Sequence, residues 1–230
     1  MLPPINTRDV FVIIPAYNEE KVIEKVLHEL SPMHYSIVLV DDGSFQDLGL
    51  LLKGFPLFLL RHKVNLGQGA ALQTGIEFAL ARKAKFIVTY DADGQHQATD
   101  IDKLLGPLVT READITLGSR FILNTSRIPA GKRIVLQIAR FINFFFTGLL
   151  LTDAHNGLRA MTREAAVKIR FRQSGMAHAT EIIGEIRKHR LRYKEIPVTI
   201  QYTDYSKQKG QTVWGSFRIL FDILLNKIFK

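Results

Sequence analysis

The sequence predicts a single α/β domain with a mostly parallel central sheet and helices on both of its faces. Three observations lead there. Short apolar, β-branched runs alternate with amphipathic stretches through the first half of the chain, the pattern of repeated βα units. Polar clusters follow those runs directly, and open α/β sheets bind ligands at the carboxyl ends of their strands. The 230 residues suffice for one well-buried domain and are short for two, with no repeat, low-complexity tract or long linker to divide them.

Taken in order, VFVIIP (Val10 to Pro15) reads as the first buried strand. Asn18 is the expected N-cap of a helix that runs on to Leu30, with Glu19 and Glu20 in its first turn. SIVLV (Ser36 to Val40) is the second strand and ends in DDGS. PLFLLRH is the third, followed by NLGQGAALQTG and a helix through Leu80. FIVTY (Phe86 to Tyr90) is the fourth and ends in DADG; DITLGSRF and YKEIPVTIQY supply a fifth and a late one. Two helical stretches, Gly131 to Leu151 and Val213 to Lys230, fall outside this alternation.

Composition narrows the function. A formal charge of +9, concentrated from Arg111 onward, calls for an acidic partner: nucleic acid, anionic lipid or a phosphorylated small molecule. Nucleic acid is disfavoured, because the aromatic residues fall in buried strands and amphipathic helices rather than in a basic, base-stacking groove. With no cysteine there are no disulfides and no thiolate metal sites, which fits a reducing compartment. The opening MLPPINTRDV lacks the basic and apolar regions of a secretory signal, so a cytoplasmic location is expected. No run reaches the roughly 18 apolar residues of a membrane span.

Tyr90-Asp91-Ala92-Asp93-Gly94-Gln95-His96 is the strongest chemical motif. Two carboxylates two residues apart, just past a buried strand, can share one divalent cation. Oxygen ligands without thiols favour Mg²⁺ or Mn²⁺, which would act as a Lewis acid on a departing diphosphate. In Pro15-Ala16-Tyr17-Asn18-Glu19 the Tyr17 ring can pack on a base while helix-terminal N–H groups favour phosphate. An aspartate of Asp41-Asp42-Gly43-Ser44 can accept from a ribose or a base N–H, or simply make an Asx turn. Asn65-Leu66-Gly67-Gln68-Gly69 resembles a phosphate cradle, though it is neither GxGxxG nor a Walker sequence.

IPAYNE, VDDGS, NLGQGAA, DADGQH, GSRF and DAHNGLRA, in this order, resemble the inverting family-two glycosyltransferases of GT-A (Rossmann-like, nucleotide-diphospho-sugar transferase) fold. The sequence is most similar to bacterial relatives of the dolichyl-phosphate mannose and glucose synthases. The likeness runs from about Val10 to Ile223, with a transferase domain over 1–212 and a C-terminal amphipathic helix over 213–230. It implies that Pro15, Ala16, Tyr17, Glu19 and Asp42 hold the nucleoside, and that Gly69, Asp91, Ala92 and Asp93 complete the donor side. Asp93 would be the chief ligand of Mg²⁺ or Mn²⁺, with Asp91 beside it and Gln95 in support. Arg120 would sit near the diphosphate or the acceptor phosphate, Arg133 and Arg159 would receive the acceptor, and Asp153 lies in the same acceptor-side block as Arg159. Lys207 and Lys209 fall in a basic lid loop where the eukaryotic-type pattern has an arginine before the glycine.

A sugar hydroxyl acceptor needs a general base, whereas a polyprenyl phosphate oxygen is already ionised and needs positive charge to position it. The three arginines favour the phosphate; Asp153 and Glu181, the latter with His178 nearby, are the candidate bases for a saccharide acceptor. The expected reaction is therefore sugar transfer from a UDP- or GDP-sugar to a polyprenyl phosphate. A saccharide acceptor and a catalytically inactive nucleotide-sugar-binding scaffold are the alternatives; intact Asp91, Asp93 and Arg120 speak against the scaffold. Ile134, Ile138, Phe141, Phe145 and Leu149 form one helical face, and Trp214, Phe217, Phe221, Leu224 and Ile228 another. With the basic residues beside them, these faces suit peripheral attachment to the inner, anionic membrane surface or to a small membrane protein.

Overall fold

The computed structural model describes residues 5–123, 137, 140–141, 144–145, 147–173, 175 and 178–201. Among these, seven strands form one sheet: β1 (Val10–Ala16), β2 (Ser36–Asp41), β3 (Leu57–Arg61), β4 (Phe86–Thr89), β5 (Ile115–Ser119), β6 (Arg159–Thr162) and β7 (Tyr193–Pro197). Their order is β3-β2-β1-β4-β6-β5-β7, parallel except for β6, which runs against both β4 and β5. The helices are α1 (Ile23–Leu30), α2 (Leu48–Leu51), α3 (Gln68–Ala81), α4 (Asp100–Val109), α5 (Arg163–Lys168) and α6 (His178–Lys188).

β1 is apolar at every position because the sheet is covered on both sides. Val10, Val12 and Ile14 face one core, built with Ile23, Val26 and Leu27 of α1 and Ile101, Leu104 and Leu105 of α4. Phe11 and Ile13 face a second, with Ala71, Leu72 and Ile76 of α3 and Ile182, Ile183 and Ile186 of α6. The closest approach is at Gly75 of α3. A Cβ there would lie 2.2 Å from Ile13 Cγ2 and 3.2 Å from Val40 Cγ2, so the missing side chain lets α3 settle onto β1 and β2.

Three expectations change. Asn18 does not cap α1: the helix begins at Ile23 with Val22 in the N-cap position. Asn18 takes a left-handed φ of 54° and its side chain is spent on the neighbouring loop, accepting from the Phe45 N–H at 3.0 Å. The end of DAHNGLRA, expected only as an acceptor-side block, begins a strand, Arg159–Thr162, that is buried up to Met161. The apolar stretch after Gly131 is helical at Gln137, Arg140, Phe141, Phe144, Phe145 and Thr147, but Leu149 to Leu151 are not. Gly148, with φ 69°, stops it in the manner of a glycine after a helix end. Of the expected apolar face, Phe141 is 62% and Phe145 84% exposed, so neither joins a core. Ile134, Ile138 and the whole of 213–230 lie outside the described residues. No helix among those described is long and apolar enough to cross a membrane.

Gly75→Ala is expected to cost about 1–3 kcal/mol of unfolding free energy through overpacking against Ile13. Gly184→Ala, at a helical position with open space around it, should instead gain up to about 1 kcal/mol. Urea denaturation of both variants checks the pair, and a Gly75 variant as stable as the parent would contradict the close packing.

Candidate active site

Parallel strands deliver their carboxyl ends to one rim, and a strand running the other way delivers its amino end there. Backbone bonds lock the rim together: Asp42 N–H donates to Ala16 O at 2.8 Å and Tyr90 N–H to Ile13 O at 2.9 Å. Thr89 at the end of β4 is paired with Arg159 at the start of β6. Above this rim lies a cleft of about 600 Å³. β1 and the loop after it contribute Pro15, Ala16, Tyr17 and Glu19; the loop after β2 gives Asp42; the loop after β4 gives Asp91, Ala92 and Asp93; and the start of the reversed strand, with the residues before it, gives Gly157 and Arg159. The cleft brings together most of the donor residues expected from the sequence, and Arg159 with them.

Asp91 is held from three sides. Gln68 Nε2 donates to Oδ1 at 3.0 Å, and His96 Nε2 lies 3.1 Å from Oδ2. Gly157 packs so close that a Cβ on it would sit 2.1 Å from Oδ2. Burial pushes the Asp91 carboxyl up, but the hydrogen bond and charge of His96, with Arg159 and His178 behind, bring it below the ordinary aspartate range. An ionised Asp91 only accepts, so His96 carries its proton on Nε2; its buried Nδ1 has no partner.

Asp93 moves the other way. Burial and the neighbouring Asp91 charge raise it, with Glu19 adding and with His96 and the Gln95 amide opposing. Its bonds are local: Gln95 donates to Oδ1 from the backbone at 3.1 Å and to Oδ2 from the side chain at 2.7 Å. In the structure Gln95 thus orients Asp93. A half-buried carboxylate raised by desolvation and by a like charge beside it would be stabilised by a cation, and an all-oxygen setting fits Mg²⁺ or Mn²⁺. Among the described residues no group of three or more His, Cys, Asp or Glu side chains could hold a metal. Were Asp93 and Asp91 to hold such an ion, its other positions would have to be filled by substrate oxygens and water, as Mg²⁺ commonly allows.

Two histidines complete the wall, His155 and His178. Burial lowers His178 to about 4, Arg159 pushing the same way and the Gly175 carbonyl and Asp91 opposing. His155 also falls to about 4 through burial, against Asp153 and with Arg159 and Arg120; it keeps part of its surface in the cleft, so His178 is the cleaner case. Burial brings the Arg159 guanidinium down to about 10, with Asp91 and Asp153 resisting. At neutral pH both histidines are therefore uncharged, and the standing cation beside Asp91 is Arg159.

Other expected residues are placed differently. Gly69 faces away from the cleft: a Cβ on it would meet Gln173 O at 2.0 Å, so it is a packing glycine, and from this loop Gly67 and Gln68 line the cleft instead. Asp42 lines the cleft, but its oxygens accept from Leu66 N–H at 2.9 Å and Gly67 N–H at 2.7 Å and meet His62 Nδ1 at 2.7 Å. It shapes the loop that starts α3. Asp153 is buried and bonded to Arg120, Nε to Oδ2 at 2.6 Å and backbone N to Oδ2 at 3.1 Å. Neither residue lines the cleft. Glu181 accepts from the backbone N–H groups of Arg172 and Gln173 at 2.9 to 3.0 Å and also lies off the cleft. Neither carboxylate is placed to act as a base. Arg133, Lys207 and Lys209 lie outside the described residues. Gln68, His96 and His155 were hidden inside quoted motifs; only their adjacency to Asp91 or Arg159 marks them.

Residues 11–170 match the family model described as Glycosyl transferase family 2. An uncharacterized protein of Methanocaldococcus jannaschii is 39% identical over 230 residues, spanning 98% of this chain and 95% of that one. UDP-N-acetylglucosamine–dolichyl-phosphate N-acetylglucosaminyltransferase of Methanococcus voltae is 31% identical over 244 residues, spanning 96% of this chain and 97% of that one. Among solved structures, glucosyl-3-phosphoglycerate synthase from Mycobacterium tuberculosis, in complex with Mn²⁺, UDP and phosphoglyceric acid, superposes with a TM-score of 0.71 at 18% identity. It covers 94% of this chain and 78% of that chain, a likeness of fold.

The depressed His178 fixes a pH dependence. Its folded value lies below the ordinary 6.5, so between about 6.5 and 4 the unfolded chain binds the extra proton. Stability present above that window is lost as pH falls through it, by up to about 3 kcal/mol. Unfolding free energy measured against pH should show this acid-side slope in the parent and a shallower one in His178→Gln; equal slopes would contradict the neutral, buried ring.

Proposed function

The chain belongs to glycosyl transferase family 2, and from that premise we propose that it moves a sugar from a nucleotide-diphosphate donor onto a polyprenyl phosphate with inversion of the anomeric centre. The observation that carries this reading is the joining of Asp91, Asp93 and Arg159 at one rim of the sheet, beneath a cleft whose other end holds Tyr17 and Asp42. The name of the Methanococcus voltae relative supports the same donor and acceptor classes.

At the nucleoside end, Tyr17 offers a ring face and the Asp42-braced loop offers backbone polar groups. The diphosphate is drawn to the amino end of α3, which opens at Gly67 and Gln68 on the cleft wall; the helix dipole there favours anions, although the Gly67 N–H is already taken by Asp42. Asp93, backed by Asp91, would hold Mg²⁺ or Mn²⁺, whose charge stabilises the departing nucleoside diphosphate. His96, with Arg159 behind it, holds Asp91 low, and Arg159 is the guanidinium on that wall toward which an anionic acceptor oxygen would be drawn, opposite the leaving group.

The fate of the candidate bases supports a phosphate acceptor. Asp153 is consumed by Arg120 and Glu181 by two backbone amides. His155 and His178 lose a proton already near pH 4, so each is a feeble base at neutral pH. A phosphate oxygen requires none. The exposed Phe141, Phe144 and Phe145 and the +9 charge support peripheral seating on the inner, anionic membrane surface, where such a lipid resides.

Incubation with Mn²⁺, a panel of UDP- and GDP-sugars and polyprenyl phosphate is expected to yield a lipid-linked monophosphosugar of inverted anomeric configuration. Asp93→Asn should lower the rate by on the order of 10²–10³ with the melting temperature within a few degrees of the parent. Transfer to a saccharide but never to the lipid phosphate, or full activity of the Asn variant, would sink this reading.

A further inference from the structure

Phe45, immediately after the DDGS turn, is 86% exposed and belongs to no motif the function absorbs. Isolated surface aromatics are common and need no explanation. Phe45 differs in being held. Its N–H donates to Asn18 Oδ1 at 3.0 Å, and the Asn18 N–H donates back to Ser44 Oγ at 3.0 Å. This reciprocal brace explains why Asn18 adopts a left-handed φ of 54°, a conformation asparagine tolerates better than most side chains. Gly43, φ 76°, presses the same turn onto the neighbouring chain: a Cβ there would come within 2.6 Å of the Val64 carbonyl carbon. Two loops from the ends of β1 and β2 are thus fastened to each other, and each carries one ring. The rings of Tyr17 and Phe45 stand 6.3 Å apart between centroids, tilted by 49°.

That separation is informative. A flat base held between two rings needs about 7 Å, twice the optimal carbon–carbon contact distance. The observed gap falls just short of it, with the rings splayed rather than stacked. A small rotation of the Phe45 side chain, free in solvent, opens a slot, and Tyr17 already lines the cleft beside Asp42. The backbone of both loops need not move.

We propose that Phe45 closes over the outer face of the donor's nucleobase, forming with Tyr17 an aromatic clamp at the mouth of the cleft. The inference rests on the nucleotide-donor reading above and adds a residue to it. The clamp acts on the base alone. It contributes affinity for any nucleoside diphosphate, since every base has a π-face, and contributes nothing for inorganic pyrophosphate.

Calorimetric titration in Mn²⁺ with UDP, GDP and pyrophosphate tests this on the parent, Phe45→Ala and Phe45→Trp. Phe45→Ala should weaken nucleoside diphosphate binding by about tenfold and leave pyrophosphate binding and the melting temperature unchanged, the residue being exposed. Phe45→Trp should retain nucleotide affinity, and its added indole emission should be quenched by UDP but not by pyrophosphate. Equal UDP affinity in the parent and Phe45→Ala overturns the clamp while leaving the donor reading intact. A parent that binds neither UDP nor GDP overturns both. Unchanged nucleotide affinity with lost adsorption to anionic vesicles would assign the ring to the membrane and overturn the clamp as well.

Discussion

Two half-buried carboxylates set close together form the constraint to which the rest of this site answers. Taking a charge out of water costs several kcal/mol even after relaxation, and a like charge alongside adds to it. The protein resolves the conflict unevenly. Asp91 receives Gln68, His96 and the field of Arg159, and stays ionised. Asp93 receives only its own loop, through Gln95, and is driven toward the neutral form. One aspartate is a fixed anion belonging to the scaffold. The other is a group with unmet electrostatic need at the surface of a cleft.

The reversed strand makes that asymmetry. Had β6 run parallel to its neighbours, its amino end would lie at the opposite edge of the sheet from Asp91. Running antiparallel between β4 and β5, it places Gly157 against the Asp91 carboxylate and Arg159 beside it. The segment leading into it is fixed with equal care. Glu195 on β7 accepts from the Thr152 N–H at 2.8 Å and the Asp153 N–H at 3.2 Å, and Asp153 then holds Arg120 at the end of β5. Strand order, and not the motifs alone, brings residues more than sixty positions apart into one electrostatic unit.

The alternation of apolar runs made the first four strands legible, because parallel strands buried on both faces leave continuous Val/Ile/Leu signatures. β6 left none: four residues, Arg159 to Thr162, with a charged residue at the start, carry no period to read. The aspartate pair was legible because folding alone does not call for two carboxylates beside a buried strand. Its partners were not, since nothing local distinguishes Gln68 from Gln73 or His96 from His28 until the chain is folded. Gly69 and Asn18 show the opposite failure. Each belongs to a residue type with a familiar local role, phosphate cradle and helix cap, and in each a contact distant in sequence took precedence: Gln173 O for the glycine, the Ser44–Phe45 turn for the asparagine.

Charge counting links these features to the way a donor enters. With His155 and His178 neutral, Asp91 set against Arg159 and Asp153 set against Arg120, those pairs nearly cancel, leaving Asp93 with Glu19 and Asp42 as the acidic side chains of the wall. A nucleoside diphosphate adds negative charge directly beside it. The amino end of α3 supplies partial positive charge only, worth at most about 2 kcal/mol in favourable geometry, too little for an ionised Asp93 and a diphosphate to share the rim. On the proposed reading, then, cation and donor enter together, the ion's charge standing between Asp93 and the diphosphate. Cation and donor affinity must be coupled, each raising the other by the same factor, and because a carboxylate must be ionised to hold the ion, both must weaken in acid.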